Sequence, residues 1–168
     1  MKKFLVTGLT VLYISSCNKS TSEPKFAVDP NSVIKPAIET KKTLIVVFES
    51  ETCQYCDKLN RDLKDLKLRE SLAKNNVDVA IVDVNGKRMV TDPESKKVME
   101  ERSLASVYRV TGYPTIAVFL PEKDYQLFGV IPGYMPKEYF VRLTNYIGTK
   151  CYEKVRSFQE YIEKGEQC

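Results

Sequence analysis

The apolar positions of this chain change period along its length, and the changes mark its elements. Leu44-Ile45-Val46-Val47-Phe48 is a run of five apolar, largely β-branched residues, the pattern of a strand buried on both faces. From Gln54 to about Leu66 the period becomes helical. Leu59, Leu63, Leu66 and Leu72 carry it on to Asn75, with a break expected near Lys67. Val77 to Val84 is a second strand, of mixed periodicity and therefore expected inside the sheet, and Asn85-Gly86 turns the chain. A polar loop to Pro93 leads to a predicted helix over 94–108, with Val98, Met99, Leu104, Ala105 and Tyr108 among its apolar positions. Thr115 to Leu120 and Gln126 to Ile131 are strands separated only by the turn Pro121 to Asp124, the spacing of an antiparallel hairpin. Gly133 and Pro136 punctuate the start of a helix, Lys137 to Ile147, that turns Phe140, Leu143, Tyr146 and Ile147 inward. The order β-α-β-α-β-β-α describes an α/β sandwich around a central mixed sheet flanked by helices.

The two ends read differently. Lys2 and Lys3 precede an apolar run, Phe4 to Ile14, too short to span a bilayer as a helix but suited to the core of a secretory signal. Ile14-Ser15-Ser16-Cys17 follows and resembles the bacterial lipobox, in which small residues precede a cysteine that is lipidated and becomes the new N-terminus. Residues 1–17 are thus expected to be a lipoprotein signal, with Cys17 anchoring the chain to a membrane of the bacterial envelope, facing the periplasm. The alternative is an ordinary signal peptide cleaved nearby, which leaves Cys17 a free thiol. Residues 18–31 are polar and Pro-containing, and read as a flexible tether with a span of about 20 Å. A short helix is expected between Asn31 and Lys42, with Asn31 or Ser32 as its N-cap and Pro36 interrupting it. The domain proper would occupy 32–148.

Beyond it, Tyr152, Val155, Phe158, Tyr161 and Ile162 recur at helical spacing, so Cys151 should begin an extra C-terminal helix in the extension 149–168. A helix of about twelve residues is about 18 Å long, barely within reach of the tail that must return for Cys168 to meet Cys151. Three outcomes stand open for these cysteines: a structural Cys151–Cys168 bond, a disulfide-linked dimer, or two free thiols.

With 168 residues, 43% of them hydrophobic, the chain has material for one domain with a real core. A net charge of +4, spread over alternating acids and bases, gives no basic run of the kind that binds nucleic acid. The chain has no histidine, which removes Ser-His-Asp and Cys-His catalysis. What remains is Glu51-Thr52-Cys53-Gln54-Tyr55-Cys56, placed where the first strand hands over to a helix. A helix N-terminus offers unpaired N–H groups and partial positive charge that stabilise a thiolate. Cys53 sits at that mouth as candidate nucleophile, and Cys56 lies one turn deeper as candidate resolving thiol. The same C-x-x-C spacing occurs in zinc knuckles, but Cys151 and Cys168 are not spaced as a second knuckle, so no metal is expected. Discounting Cys17, the cysteine count is even.

A second informative stretch, Val110-Thr111-Gly112-Tyr113-Pro114-Thr115, opens the hairpin with a proline. The strand ending in Phe48, the Cys53-Gln54-Tyr55-Cys56 motif and this proline segment together resemble the thioredoxin superfamily over about Ala37 to Gly148. The whole chain looks most like the secreted SoxW-like thioredoxins of bacteria, in its Gly133-Tyr134 element and in its long polar loop after the second strand. Thr52-Cys53-x-Tyr55-Cys56-x-Lys58-Leu59 is also similar to the periplasmic disulfide isomerases, whose separate dimerisation domain this chain has no room for.

The resemblance implies a thiol–disulfide oxidoreductase that needs no cofactor, acts on disulfide-containing proteins and is recharged by a membrane thiol–disulfide electron donor. A redox-inert binding module on the same scaffold is the different-class alternative. It also implies that Pro114 is cis and packed beside Cys53, that Tyr113 offers backbone to an extended substrate, and that Thr52, Gln54 and Tyr55 face the substrate. One departure stands out, for the family usually keeps a buried aspartate where this chain has Val47. Strand alternation puts Glu49 on the same face, about 6–7 Å nearer the cysteines. Glu49 is then either a solvated strand-end carboxylate or the substitute acid–base group. Uncharged residues between the cysteines, with Glu49, Glu51 and Asp57 nearby, disfavour the thiolate and point to a reductase.

Overall fold

Seven consecutive buried residues, Thr43–Glu49, form strand β1, and the rest of the molecule is layered around it. The computed structural model describes residues 24–168; the signal segment, the lipobox and Cys17 lie outside the described residues. β1 pairs in parallel with β2 (Val77–Asp83) on one side. On the other it pairs antiparallel with β5 (Thr115–Phe119), itself antiparallel to β6 (Leu127–Pro132). The sheet order is β2-β1-β5-β6, so β1 and β5 are interior. Even-numbered residues of β1 (Leu44, Val46, Phe48) face a cluster built with helices α1 (Asn31–Glu39) and α4 (Glu101–Val107). Odd-numbered Ile45 and Val47 face a second cluster with α2 (Gln54–Asp62), α3 (Leu66–Lys74) and α5 (Lys137–Gly148). This is the expected α/β sandwich, and the pleat of β1 alone assigns residues to its two halves.

Several elements differ from the sequence reading, each for a local reason. β2, expected in the interior, is an edge strand; it is apolar because α1, α3 and α4 all pack on it. The helix expected over 94–108 begins only at Glu101. Upstream, the Asp92 carboxylate accepts the N–H groups of Glu94 and Ser95 at 3.2 Å each, folding 93–96 into a turn. Met89–Thr91 (β3) and Val98–Glu100 (β4) then pair as a small antiparallel ribbon.

The helical stretch after Cys56 breaks before Lys67, at Leu63–Asp65, where Asp65 caps α3 by accepting the Lys67 N–H at 3.0 Å. Pro36 does not interrupt α1. It is exposed, as is Ser32 one turn before it, and burial of Ile34 and Ala37 holds the helix together. Asn31 is not the N-cap: its Nδ2 donates to the Met89 carbonyl (2.7 Å) and its Oδ1 accepts the Thr91 N–H (2.8 Å), tying α1 to β3.

Of the stretch expected to be tether, residues 24–31 lie against the domain, with Pro30 buried. Polar composition did not exclude docking, because hydrogen bonds to partners distant in sequence also hold the segment.

The C-terminal extension is shorter in helix than its periodicity suggests. A 3₁₀ turn, Cys151–Glu153, is followed by α6 (Phe158–Glu163), capped by Ser157 Oγ, which accepts the Glu160 N–H at 3.1 Å. Six helical residues span about 9 Å, so the tail returns easily. Gly165 takes φ +65°, and Cys168 is bonded to Cys151 with Cα atoms 5.3 Å apart. Tyr146 of α5 anchors the extension, with ring centroids 5.7 Å from Phe158 and 5.2 Å from Tyr161, and its hydroxyl donates to the Val155 carbonyl at 3.1 Å.

Candidate active site

The turn Ser50–Cys53 carries the chain from β1 into α2, and Cys53 is the helix N-cap. Its Sγ accepts the Cys56 N–H at 3.1 Å, and its carbonyl accepts the Asp57 N–H at 3.1 Å. The sulfur therefore stands among first-turn amides that have no partner within the helix, where negative charge is favoured. Cys53 and Cys56 form a disulfide with Cα atoms 5.2 Å apart. Cys53 is half-buried, whereas Cys56 is fully buried on the inner face of α2. Of the pair, only Cys53 retains exposed surface. Thr52, Gln54 and Tyr55 are exposed around it.

Glu49, at the end of β1, has no exposed surface, so the reading as a solvated strand-end carboxylate is corrected. The pleat turns it toward α2, where its Oε2 accepts a hydrogen bond from Asn60 Nδ2 at 2.8 Å. Asn60 is four residues after Cys56 and hence on the same helix face, so the carboxylate lies beneath the face that carries the buried sulfur. Oε1 is buried with no hydrogen-bond partner. Burial raises the Glu49 pKa from 4.5 to about 7, against the lowering effects of the Asn60 hydrogen bond and the Lys25 charge. A buried acid titrating near neutrality beneath a buried thiol is equipped to exchange a proton with it. Val47, the site of the family's usual acid, is an ordinary core residue here.

The segment before β5 completes the site. The Tyr113–Pro114 peptide bond is cis, as the resemblance implied. Phe48 pairs with Thr115 at the end of the ladder, so Pro114, the residue before it, lies at the same end of the sheet as Glu49 and the cysteines. Pro114 is buried and Tyr113 is 42% exposed. The Pro114 carbonyl accepts the Gly133 N–H at 2.7 Å; Gly133 has φ +90°, a conformation costly for any residue with a Cβ. Next along, Tyr134 lies against Tyr55 with ring centroids 6.1 Å apart, receives the Lys58 ammonium over its face at 4.5 Å, and donates its hydroxyl to Asp62.

Cys53, Cys56, Glu49, Tyr55, Tyr113 and Pro114 are thus brought to one end of the sheet, while Cys151 and Cys168 form their own bond in the C-terminal extension. Three contributors escaped the sequence reading. Asn60 could have been found from its four-residue spacing to Cys56, and Tyr134 from its place after Gly133. Lys25 had no signal, for it lies in a polar stretch far from the motif in sequence yet contacts the active-site turn.

Comparison with known proteins agrees with this geometry. A protein-family model described as a thioredoxin-like domain matches residues 30–148. A thioredoxin-fold protein from Helicobacter pylori superposes with a TM-score of 0.62 at 26% identity, covering 74% of this chain and 80% of that one. A thioredoxin from Thermus thermophilus superposes with a TM-score of 0.54 at 27% identity, over 71% and 86%. A disulphide isomerase from Xylella fastidiosa shares the fold, with a TM-score of 0.51 at 18% identity, over 69% and 86%. No curated protein matches the chain significantly by sequence.

Proposed function

The chain belongs to the thioredoxin-like domain family, and from that premise we propose that it is an envelope thiol–disulfide oxidoreductase working as a reductase of protein disulfides. The observation that supports this most directly is the Cys53–Cys56 disulfide at the start of α2, with Cys53 half-buried, Cys56 fully buried, and buried Glu49 bonded to Asn60 of the same helix. In the reduced protein, the Cys53 thiolate attacks one sulfur of a substrate disulfide, forming a mixed disulfide and releasing one substrate thiolate, which takes up a proton. Glu49 in its carboxylate form accepts the proton of the Cys56 thiol. The resulting thiolate attacks Cys53 Sγ, which closes the Cys53–Cys56 bond and releases the second substrate thiolate. Two electrons pass from the dithiol to the substrate, and a membrane thiol–disulfide donor returns them. Tyr113 and Pro114 supply backbone for an extended substrate, flanked by Thr52, Gln54 and Tyr55.

The reductase direction rests on the uncharged Gln54-Tyr55 pair and on Glu51. Asp57 contributes less than its formal charge, because Lys25 Nζ lies 2.9 Å from its carboxylate. Glu49, with its pKa raised to about 7, is largely neutral in mildly acid solution. Envelope location and lipid attachment at Cys17 rest on the sequence pattern of residues 1–17.

The test is reduction of a protein disulfide such as insulin, with dithiothreitol as electron source. Turnover above the dithiothreitol background, abolished by Cys53→Ser, is expected. Background-level turnover would favour a redox-inert binding module, and reshuffling of scrambled disulfides without net reduction would favour an isomerase.

A further inference from the structure

Lys25 reaches into the active-site turn from a segment that precedes the sandwich. Its side chain is only 11% exposed. Its Nζ lies 2.8 Å from the Ser50 carbonyl, 3.4 Å from that of Glu51, 3.3 Å from that of Cys53 and 2.9 Å from Asp57 Oδ1. Further along the same segment Arg88 fastens the chain, with Nη1 donating to the carbonyls of Phe26 (3.0 Å) and Val28 (2.8 Å). The rest of that guanidinium is held by the buried carboxylate of Glu101, Nε to Oε2 at 3.0 Å and Nη2 to Oε1 at 2.7 Å. Residues 24–30 therefore form a strap fastened to the β3–β4 ribbon by Arg88 and to the cysteine-bearing turn by Lys25.

The charged groups around the cysteines are Glu49 on β1, Glu51 in the turn, Asp57 and Lys58 on α2, and Lys25 on the strap. The phenols of Tyr55, Tyr113 and Tyr134 complete the titratable set. Lys58 is directed over the Tyr134 ring, so among the described residues Lys25 is the cation bonded to the turn itself. We infer that Lys25 is a positioning residue for the dithiol, fixing the Ser50–Cys53 turn and supplying the positive charge that keeps Cys53 available as a thiolate beside three carboxylates. This rests on the reading of Cys53 and Cys56 as the redox pair. Removing the charge takes a favourable partner from the thiolate and leaves Asp57 unpaired; both changes disfavour the thiolate. The thiolate exists only in the reduced protein, so its loss of stability makes the pair more reducing.

The experiment compares full-length wild type, Lys25→Met and Lys25→Arg by the pH dependence of Cys53 alkylation and by equilibration with glutathione. Lys25→Met is expected to raise the alkylation midpoint by about 1, slowing alkylation about tenfold below it. Measured above both midpoints, where the reduced form is the thiolate, the equilibrium constant with glutathione should move about tenfold, or about 30 mV toward the reducing side. Lys25→Arg, which keeps the charge, should recover most of both shifts. A Lys25→Met protein with the wild-type midpoint and equilibrium constant would overturn the inference. Should that variant fail to fold, Lys25→Gln, which keeps a hydrogen-bond donor toward the turn carbonyls but carries no charge, takes its place, and a wild-type alkylation midpoint in that variant refutes the role. A wild-type pair that does not exchange with glutathione at all would sink the redox reading itself, whereas exchange that Lys25→Met leaves unaltered sinks only the role of Lys25.

Discussion

Replacing Glu49 by Gln tests the catalytic reading and the energetics of the buried acid together. Gln keeps the shape and can still accept from Asn60, but it does not ionise. In the unfolded chain Glu49 releases its proton near 4.5, and in the folded protein near 7, because the carboxylate is shut away from water with Oε1 unpaired. Between those values the native state binds more protons than the unfolded state, so rising pH lowers stability. The penalty is absent below about 4.5 and complete above about 7, where it reaches about 3 kcal/mol at 1.36 kcal/mol per pH unit of separation. Urea denaturation of the oxidised protein should therefore find Glu49→Gln and wild type nearly equal at pH 4, with the variant about 2–3 kcal/mol more stable at pH 8.

Activity should move the opposite way. The wild-type rate of mixed-disulfide resolution, followed by stopped flow, is expected to rise through pH 7 as Glu49 becomes a base. Glu49→Gln should lose that limb and fall by about 100-fold at pH 8. A stability difference independent of pH would refute the claim that Glu49 ionises in a buried site. A retained limb near pH 7 in the variant would remove it from proton transfer.

Arg88→Met leaves Glu101 buried with no cation, retaining only the Asp83 N–H at 3.1 Å; a loss of about 3 kcal/mol in chemical denaturation is expected, and a change under 1 kcal/mol would mean the pair is not needed. Opening the Cys151–Cys168 bond by Cys168→Ser removes a link between residues 17 apart in sequence and should cost about 3 kcal/mol. In the Cys53→Ser, Cys56→Ser background, mass spectrometry should show a monomer two hydrogens lighter than its reduced form, and a covalent dimer or two alkylatable thiols would contradict this pairing. Under reducing, near-neutral conditions iodoacetamide should label Cys53 before Cys56; the reverse order would exchange their roles. Cys17→Ser should release the protein from the membrane fraction or leave its signal unprocessed, and a processed, membrane-bound variant would remove lipidation at Cys17.

What sequence alone decided about this protein is whatever local pattern and spacing can carry. The five-residue apolar run of β1, the helical period after Gln54 and the short turn between β5 and β6 each encode an element, because burial on two faces, on one stripe or in a hairpin imposes its own periodicity. The C-x-x-C at a strand-to-helix junction located the chemistry, since the helix N-terminus that activates a thiol is itself a local feature. Elements failed where a side chain made its decisive contact far along the chain. Asp92, bonded to the turn after it and to Tyr108 at the C-terminal cap of α4, turned an expected helix into a ribbon. Asn31 spent its cap atoms on β3, and β2 was covered by helices that no pattern within it announces. The electrostatics of the site were likewise decided only by the tertiary structure. Glu49 is an unusual acid because Asn60 and the sheet enclose it, and Lys25 matters because the strap carries it to a turn twenty-five residues away. Charge and desolvation act through space, and a residue's sequence neighbours say little about which groups the fold will press against it.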